Sequence, residues 1–201
     1  MENKLSNKKQ NEKVYVILNT NNNICKHIKT KTKKTNKTTK TKKTNKTTKT
    51  KNNKSNHNNL KPINVLKPIL VKKIYKTKDE WKVQLGEETY KIAREKGTGI
   101  RKMSNEYDTK KGIYNCVCCN LPLFTSITKY NSGSGWPSFY MPISNYNIKT
   151  EIDKSGGMIR TSVECTRCNC HLGHLFNDGP PPTGLRYCMN SESLTFIECK
   201  K

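Results

Sequence analysis

Cys165-Thr166-Arg167-Cys168-Asn169-Cys170-His171-Leu172-Gly173-His174 is the stretch on which the reading of this chain turns. Cys165 and Cys168 have the C-x-x-C spacing by which one tight turn presents two thiolates, and Cys116 and Cys119 form a second such pair upstream. Four thiolates complete the tetrahedral shell of a closed structural Zn2+ site, one ion per chain. The 45 residues between the pairs exceed the ~15–20 of a zinc ribbon, so a sheet is expected between them. The plainer reading, four buried or disulfide-bonded cysteines, is disfavoured by the paired spacing; Cys118 is left over. Turn residues punctuate short β-rich runs at 112–115, 123–128, 136–140, 157–164, 185–190 and 194–199. The pattern predicts a mainly β fold, two antiparallel sheets or a small open barrel. Short helices precede it: Thr77 and Glu80 have capping-box spacing, and Trp81, Leu85, Tyr90, Ile92 and Ala93 supply apolar positions ending at Gly97.

Upstream of this domain the chain is a different polymer. The 201 residues carry a formal net charge of +24, of which +20 falls in residues 1–76, with 22 Lys against two acidic residues. Residues 77–201 hold 17 basic and 13 acidic side chains, a net of +4. The nonapeptide TKKTNKTTK occurs in tandem at 32–40 and 41–49 without one apolar residue to stack. Such a repeat cannot offset the entropy of ordering, so residues 1–59 are expected to be a disordered tail. Its Lys run suits phosphates or acidic headgroups only unspecifically, having no aromatics interleaved, and no specific nucleic acid is expected. Residues 60–76, with Pro62 and Pro68 among short apolar runs, read as a linker with room to lay one extended segment on the domain. No run reaches the ~18 apolar residues of a membrane span, and Val14–Leu18 is too short for a secretory core. A cytoplasmic monomer is the expectation, with organelle targeting by the extension as the alternative. Nine cysteines, an odd number partly in C-x-x-C spacing, then point to metal or redox chemistry rather than a disulfide framework.

Arg186-Tyr187-Cys188-Met189-Asn190 follows the knuckles on a predicted strand. Period-two alternation puts Arg186, Cys188 and Asn190 on one face, where the cation favours a thiolate. His171 and His174 can donate hydrogen bonds to an oxygen brought beside the sulfur, or alternatively ligate metal. Trp136, after the glycines of Ser132-Gly133-Ser134-Gly135, offers a ring held to pack on a methyl or a cation; the plainer reading makes it a core aromatic. A metal-dependent nucleic-acid or protein-binding module is the rival from another class, but it has no use for that face.

SGSGWPSF, CTRCNCHLGHLFNDGPPPTGLRYCMNS, REKGTG and YNCVCCNLPLF resemble the B-type methionine sulfoxide reductases, enzymes specific for the R epimer. The resemblance covers about residues 77–198. It implies Cys188 as the nucleophile that becomes a sulfenic acid, Trp136 against the substrate S-methyl group, and His171, His174 and Asn190 around the sulfoxide oxygen and its water. It implies Arg186 as the cation near the thiolate, Cys116, Cys119, Cys165 and Cys168 as zinc ligands, oxidised proteins as substrate and a thioredoxin-type reductant. Two departures stand out. Ser134 occupies the position where many members carry a resolving cysteine, leaving Cys25, Cys118, Cys170 and Cys199 as spare thiols. Ile100-Arg101-Lys102-Met103 replaces the more usual Pro-Phe.

Overall fold

The computed structural model describes residues 11–18, 24–26, 28, 67–101 and 109–200. The capping box forms as the sequence predicts: Thr77 Oγ accepts from the Glu80 N–H (3.3 Å) and Glu80 accepts from the Thr77 N–H (2.7 Å). Helix α1, Lys78–Leu85, starts there, and Gly86, at a left-handed φ of 74°, breaks it from α2, Glu87–Arg94. The strands are β1 Lys13–Val16, β2 Ile69–Lys72, β3 Gly112–Cys116, β4 Pro122–Thr125, β5 Lys129–Tyr130, β6 Ser138–Phe139, β7 Ile148–Asp153, β8 Arg160–Cys165, β9 His171–Phe176, β10 Arg186–Met189 and β11 Leu194–Glu198.

The architecture is mainly β with two short helices, as expected. A six-stranded sheet runs β5-β6-β10-β9-β8-β7, a three-stranded sheet β11-β3-β4, and β1 pairs with β2, every pairing antiparallel. Within the domain, strands β5, β7 and β9 fall outside the predicted runs. β7 is an edge strand exposed over its middle, and β9, HLGHLF, carries histidines and a glycine in place of an apolar alternation.

Aromatic residues join the two larger sheets. Phe124 of β4 stacks on Phe139 of β6 at 4.5 Å, while Tyr114 of β3 meets Phe139 edge-on at 5.0 Å and Phe196 of β11 at 4.9 Å. Each such pair contributes about 0.5–1.5 kcal/mol beyond its buried area. Tyr187 of β10 points into this core, 5.7 Å from Phe124. Alternation then turns its neighbours Arg186 and Cys188 to the opposite face.

The N-terminal segment departs from its expected character where it is described. Residues 11–18, assigned to the tail, include β1, whose Val16 is fully buried, and Asn147 acts as a surrogate strand partner for Ile17. Its Oδ1 accepts from the Ile17 N–H (2.7 Å) and its Nδ2 donates to the Ile17 carbonyl (3.0 Å). Pairing with β2, the buried Val16 and the two hydrogen bonds from the Asn147 side chain order this piece, which the Lys-rich average concealed. Cys25 and Cys199, read as spare thiols, are instead joined in a disulfide, with Ile24, Ile28 and Ile113 packed around it. The tandem repeat lies outside the described residues. Among the described residues no helix is long and apolar enough to cross a membrane.

Candidate active site and metal site

Register across the six-stranded sheet aligns one row of side chains: Tyr130, Ser138, Cys188, His174, Ser162 and Glu151, one from each strand. Directly opposed residues of antiparallel strands share a face, so Cys188 and His174 are neighbours by construction. Cys188 is partly buried, and its Sγ lies 3.8 Å from the hydroxyl of Ser134.

A three-residue spacing on a regular strand would put His171 and His174 on opposite faces. The register slips at Val163/Glu164, so that Glu164 opposes His171, and the two imidazoles come to 5.3 Å, ring to ring. Gly173 between them has φ 151°, and a Cβ there would stand 2.2 Å from the Cys188 carbonyl oxygen. Only glycine permits this approach of β9 to the backbone of Cys188. His171 is buried; its Nδ1 bonds Ser162 Oγ (3.1 Å), while its Nε2 is buried with no hydrogen-bond partner among the described residues. Burial, helped by the neighbouring His174, pushes the His171 imidazole down to about 4, so it is neutral at pH 7. His174 Nε2 is 2.8 Å from Asp153 Oδ2. Hydrogen bonds from Ser155 and then from His174 hold the Asp153 carboxyl below its usual range.

Trp136 and Asn190 meet through the loop after α2. The indole Nε1–H donates to the Gly99 carbonyl (3.1 Å), and the Gly99 N–H donates to Asn190 Oδ1 (3.0 Å). Asn190 Nδ2 reaches the Gly97 carbonyl at 3.5 Å. The Arg101 guanidinium lies 4.6 Å over the Trp136 ring, a cation–π contact. Arg186 shares the Cys188 face but is held by Asp178 in a two-pronged pair (2.8 and 2.8 Å) above the Phe176 ring. This pair raises Arg186 and lowers Asp178. Asp153, Ser162, Asp178 and Gly99 therefore belong to the site although the sequence marked none of them with a role. Each acts through a partner on another strand or loop, and only the two prongs of Asp178 and Arg186, eight residues apart, left a local trace.

The two C-x-x-C pairs converge at the other end of β8 and β9. Cys116 ends β3 and Cys165 ends β8, while Cys119 and Cys168 lie in the turns that follow. The turns are alike: the Asn120 N–H donates to the Cys116 carbonyl (2.8 Å) and the Asn169 N–H to that of Cys165 (2.9 Å). Both asparagines are left-handed, at φ 59° and 56°. Cys116 and Cys168 sulfurs are 3.6 Å apart, as are those of Cys119 and Cys165, and all four lie within 4.8 Å of one another. Tetrahedral coordination with metal–sulfur bonds of about 2.3 Å needs sulfur–sulfur edges of about 3.8 Å, so the donor set fits a metal ion. Burial pushes the Cys116 thiol up, so its ionisation calls for a cation. The helices rest on these turns through Gln84, which donates to the Cys118 carbonyl (2.8 Å), and Arg94, which donates to that of Cys168 (2.7 Å).

Comparison with known proteins falls on the same residues. The family model described as the SelR domain matches residues 85–198. A peptide methionine sulfoxide reductase MsrB from Pseudomonas syringae pv. syringae is 54% identical over 127 residues, covering 62% of this chain and 96% of its own length. Its counterpart from Pseudomonas putida strain GB-1 is 56% identical over 123 residues, with 60% and 93% covered. That from Hahella chejuensis is 53% identical over 125 residues, with 62% and 90% covered. With the row around Cys188 and the four-thiol cluster both inside the matched span, the chain belongs to the SelR-domain family, the B-type methionine sulfoxide reductases, which are thiol-dependent oxidoreductases.

Proposed function

We propose that this chain reduces the R epimer of methionine sulfoxide in oxidised proteins, with Cys188 as nucleophile. The observation that carries the reading is the placement of Cys188 between the Ser134–Trp136 loop and the histidine pair of β9. Three fixed points define a handedness: the attacking sulfur, the indole as a seat for the S-methyl group, and the histidine side for the oxygen. A substrate presenting methyl and oxygen exchanged meets a ring where it needs a donor.

The sulfur of Cys188 attacks the sulfoxide sulfur, and the oxygen passes to it: a thiol and a sulfoxide give a sulfenic acid and a thioether. His174, oriented by Asp153, is the proton donor to the oxygen; His171, kept neutral by burial, aims its unpartnered Nε2 as a hydrogen-bonding group within the same pair. Asn190 acts by holding the Gly99 loop against the indole. The Arg186 charge, anchored by Asp178, adds a favourable field at the thiolate.

Two external thiols then reduce the sulfenic acid, giving water, a disulfide and the restored cysteine. Direct reduction by a thioredoxin-type dithiol is supported by the whereabouts of the other thiols. Ser134 faces Cys188, Cys25 is bonded to Cys199, and Cys118 and Cys170 lie in the knuckle cluster. Zn2+ is the ion proposed for Cys116, Cys119, Cys165 and Cys168, where it would tie the three-stranded sheet to the six-stranded one and take no part in turnover.

Separate incubations with the R and S epimers of dabsyl-methionine sulfoxide and dithiothreitol test this reading. The wild type should consume the R epimer alone, and Cys188→Ser neither, with its metal content unchanged. Turnover by Cys188→Ser, or consumption of the S epimer, sinks the mechanism.

A further inference from the structure

Two free cysteines among the described residues are used by neither the reaction nor the four-thiol site, and both lie against that site. Cys118 and Cys170 are buried, at 5% and 0% exposure, and their sulfurs form a second set with Cys116 in which all three atoms lie within 4.8 Å of one another. Cys116 thus belongs to both sets. We propose that the two knuckles hold a second divalent, thiophilic ion beside the first, in a binuclear cluster of six thiolates. The inference rests on the reading of the knuckles as a metal site.

Geometry assigns the ligands. Cys116, the sulfur common to both sets, bridges the two ions. Cys119, Cys165 and Cys168 complete the shell of the first, and Cys118 and Cys170 join Cys116 in a three-thiolate set around the second. Soft d10 ions such as Zn2+ and Cd2+ favour thiolate ligands of this kind.

Charge favours a divalent second ion. One divalent ion in four thiolates leaves two net negative charges, and two divalent ions in six thiolates leave the same two. A second ion with two further ligands therefore adds no net charge to a buried site, whereas two ionised thiols without it would add two. The cation already present serves either count: Arg94 donates to the Cys168 carbonyl at 2.7 Å. Arg167 donates to the Cys119 carbonyl at 3.5 Å. Binding exchanges protons for metal without redox change: two thiols, Cys118 and Cys170, lose two protons to solvent and form bonds to one divalent ion.

Counting ions on the full chain tests the proposal separately from the site on which it rests. Protein purified under reducing conditions and loaded with Zn2+ or Cd2+ is weighed by native mass spectrometry. Two ions per chain are expected for the wild type, and one for the double variant Cys118→Ala with Cys170→Ala. One ion in the wild type overturns the second site and leaves the first; none removes both. Two ions retained by the double variant also overturn it, because the second ion then sits elsewhere. So does a wild type lighter by two hydrogens between Cys118 and Cys170. Cd-113 NMR of the wild type needs no variant: two resonances in the all-thiolate region are expected, and a single one refutes the cluster.

Discussion

The knuckle end and the reactive end of this domain share β8 and β9 but are built in opposite ways. Each knuckle is a local object, in which C-x-x-C is followed by a left-handed asparagine and the same backbone bond closes both turns. Two near copies face one another, and their only long-range requirement is that four sulfurs meet. The reactive end repeats nothing. Cys188, His174, His171, Ser134 and Trp136 come from β10, β9 and one loop, and two further loops supply Gly99 and Asn190. A site assembled from local copies fails as a unit when one ligand is lost, while a site assembled from distant parts loses function piecemeal.

The largest predicted effect breaks the knuckle side. Cys165→Ser removes one of four thiolates, and metal binding in such sites is worth roughly 10–16 kcal/mol of apparent folding free energy. Cys165→Ser, or wild type treated with a strong chelator, should lose its cooperative thermal transition by circular dichroism. Cys188→Ser should keep that transition. If both variants melt alike, the two ends are not independent in the way their construction implies.

Gly173→Ala attacks the one point where the reactive end needs a special backbone. Its Cβ would meet the Cys188 carbonyl oxygen at 2.2 Å and the Met189 Cα at 2.8 Å, with φ at 151°. Backbone strain and overpacking together should cost roughly 2–6 kcal/mol. Urea denaturation should show a lowered midpoint, and the turnover that survives should fall because β9 and β10 are pushed apart. An unchanged midpoint would mean that the sheet slips its register at no cost.

These two sites also differ in how far the sequence revealed them. Cys116, Cys119, Cys165 and Cys168 are visible from spacing alone as a set that could hold a metal ion, because each pair spans only four residues. The face shared by Arg186 and Cys188 follows equally from period-two alternation. His171 and His174 share a face only because the register slips at Val163/Glu164, and no spacing rule announces a bulge. Asp153 reaches His174 across two strands, from an edge strand whose outward face hid it. The ordering of residues 11–18 escaped for a different reason. A composition averaged over 76 residues is dominated by Lys, while the four residues of β1 are held by pairing with β2, and Ile17 after them by the amide of Asn147, 130 positions away.

The buried His171 separates the two ends by pH. The folded protein holds its imidazole near 4 against an ordinary value of 6.5, so the unfolded chain takes up that proton first as the pH falls. The contribution is complete above about pH 6.5 and is lost progressively down to about pH 4, an amount on the order of 3 kcal/mol. Acid effects common to wild type and variant cancel in the comparison. The difference in unfolding free energy between wild type and His171→Asn, followed from pH 7.5 to 4, isolates the histidine. It should shift by about that amount in favour of the variant, and a difference constant with pH would mean that the imidazole is not kept neutral.

The smallest effect sharpens what Asn190 does. Its Oδ1 accepts the buried Gly99 N–H, and Gly99 in turn accepts the Trp136 indole N–H, so the amide fixes from behind the ring proposed to seat the substrate methyl group. Asn190→Ala leaves the Gly99 N–H unpartnered, a cost of about 1–3 kcal/mol. If the loop then loosens, the indole is released, and the loss should fall mainly on KM, raised about tenfold, with kcat changed less. Asn190→Asp keeps an acceptor at Oδ1 and gives up only the 3.5 Å contact to the Gly97 carbonyl. It should restore most of the lost affinity if the acceptor is what matters. A group that donated to the sulfoxide oxygen would behave in the opposite way, since a carboxylate cannot donate: Asn190→Asp would then be as poor as Asn190→Ala, and the deficit would appear in kcat. Steady-state kinetics of the two variants on the R epimer therefore decide between holding the Trp136 loop and contacting the reacting atoms.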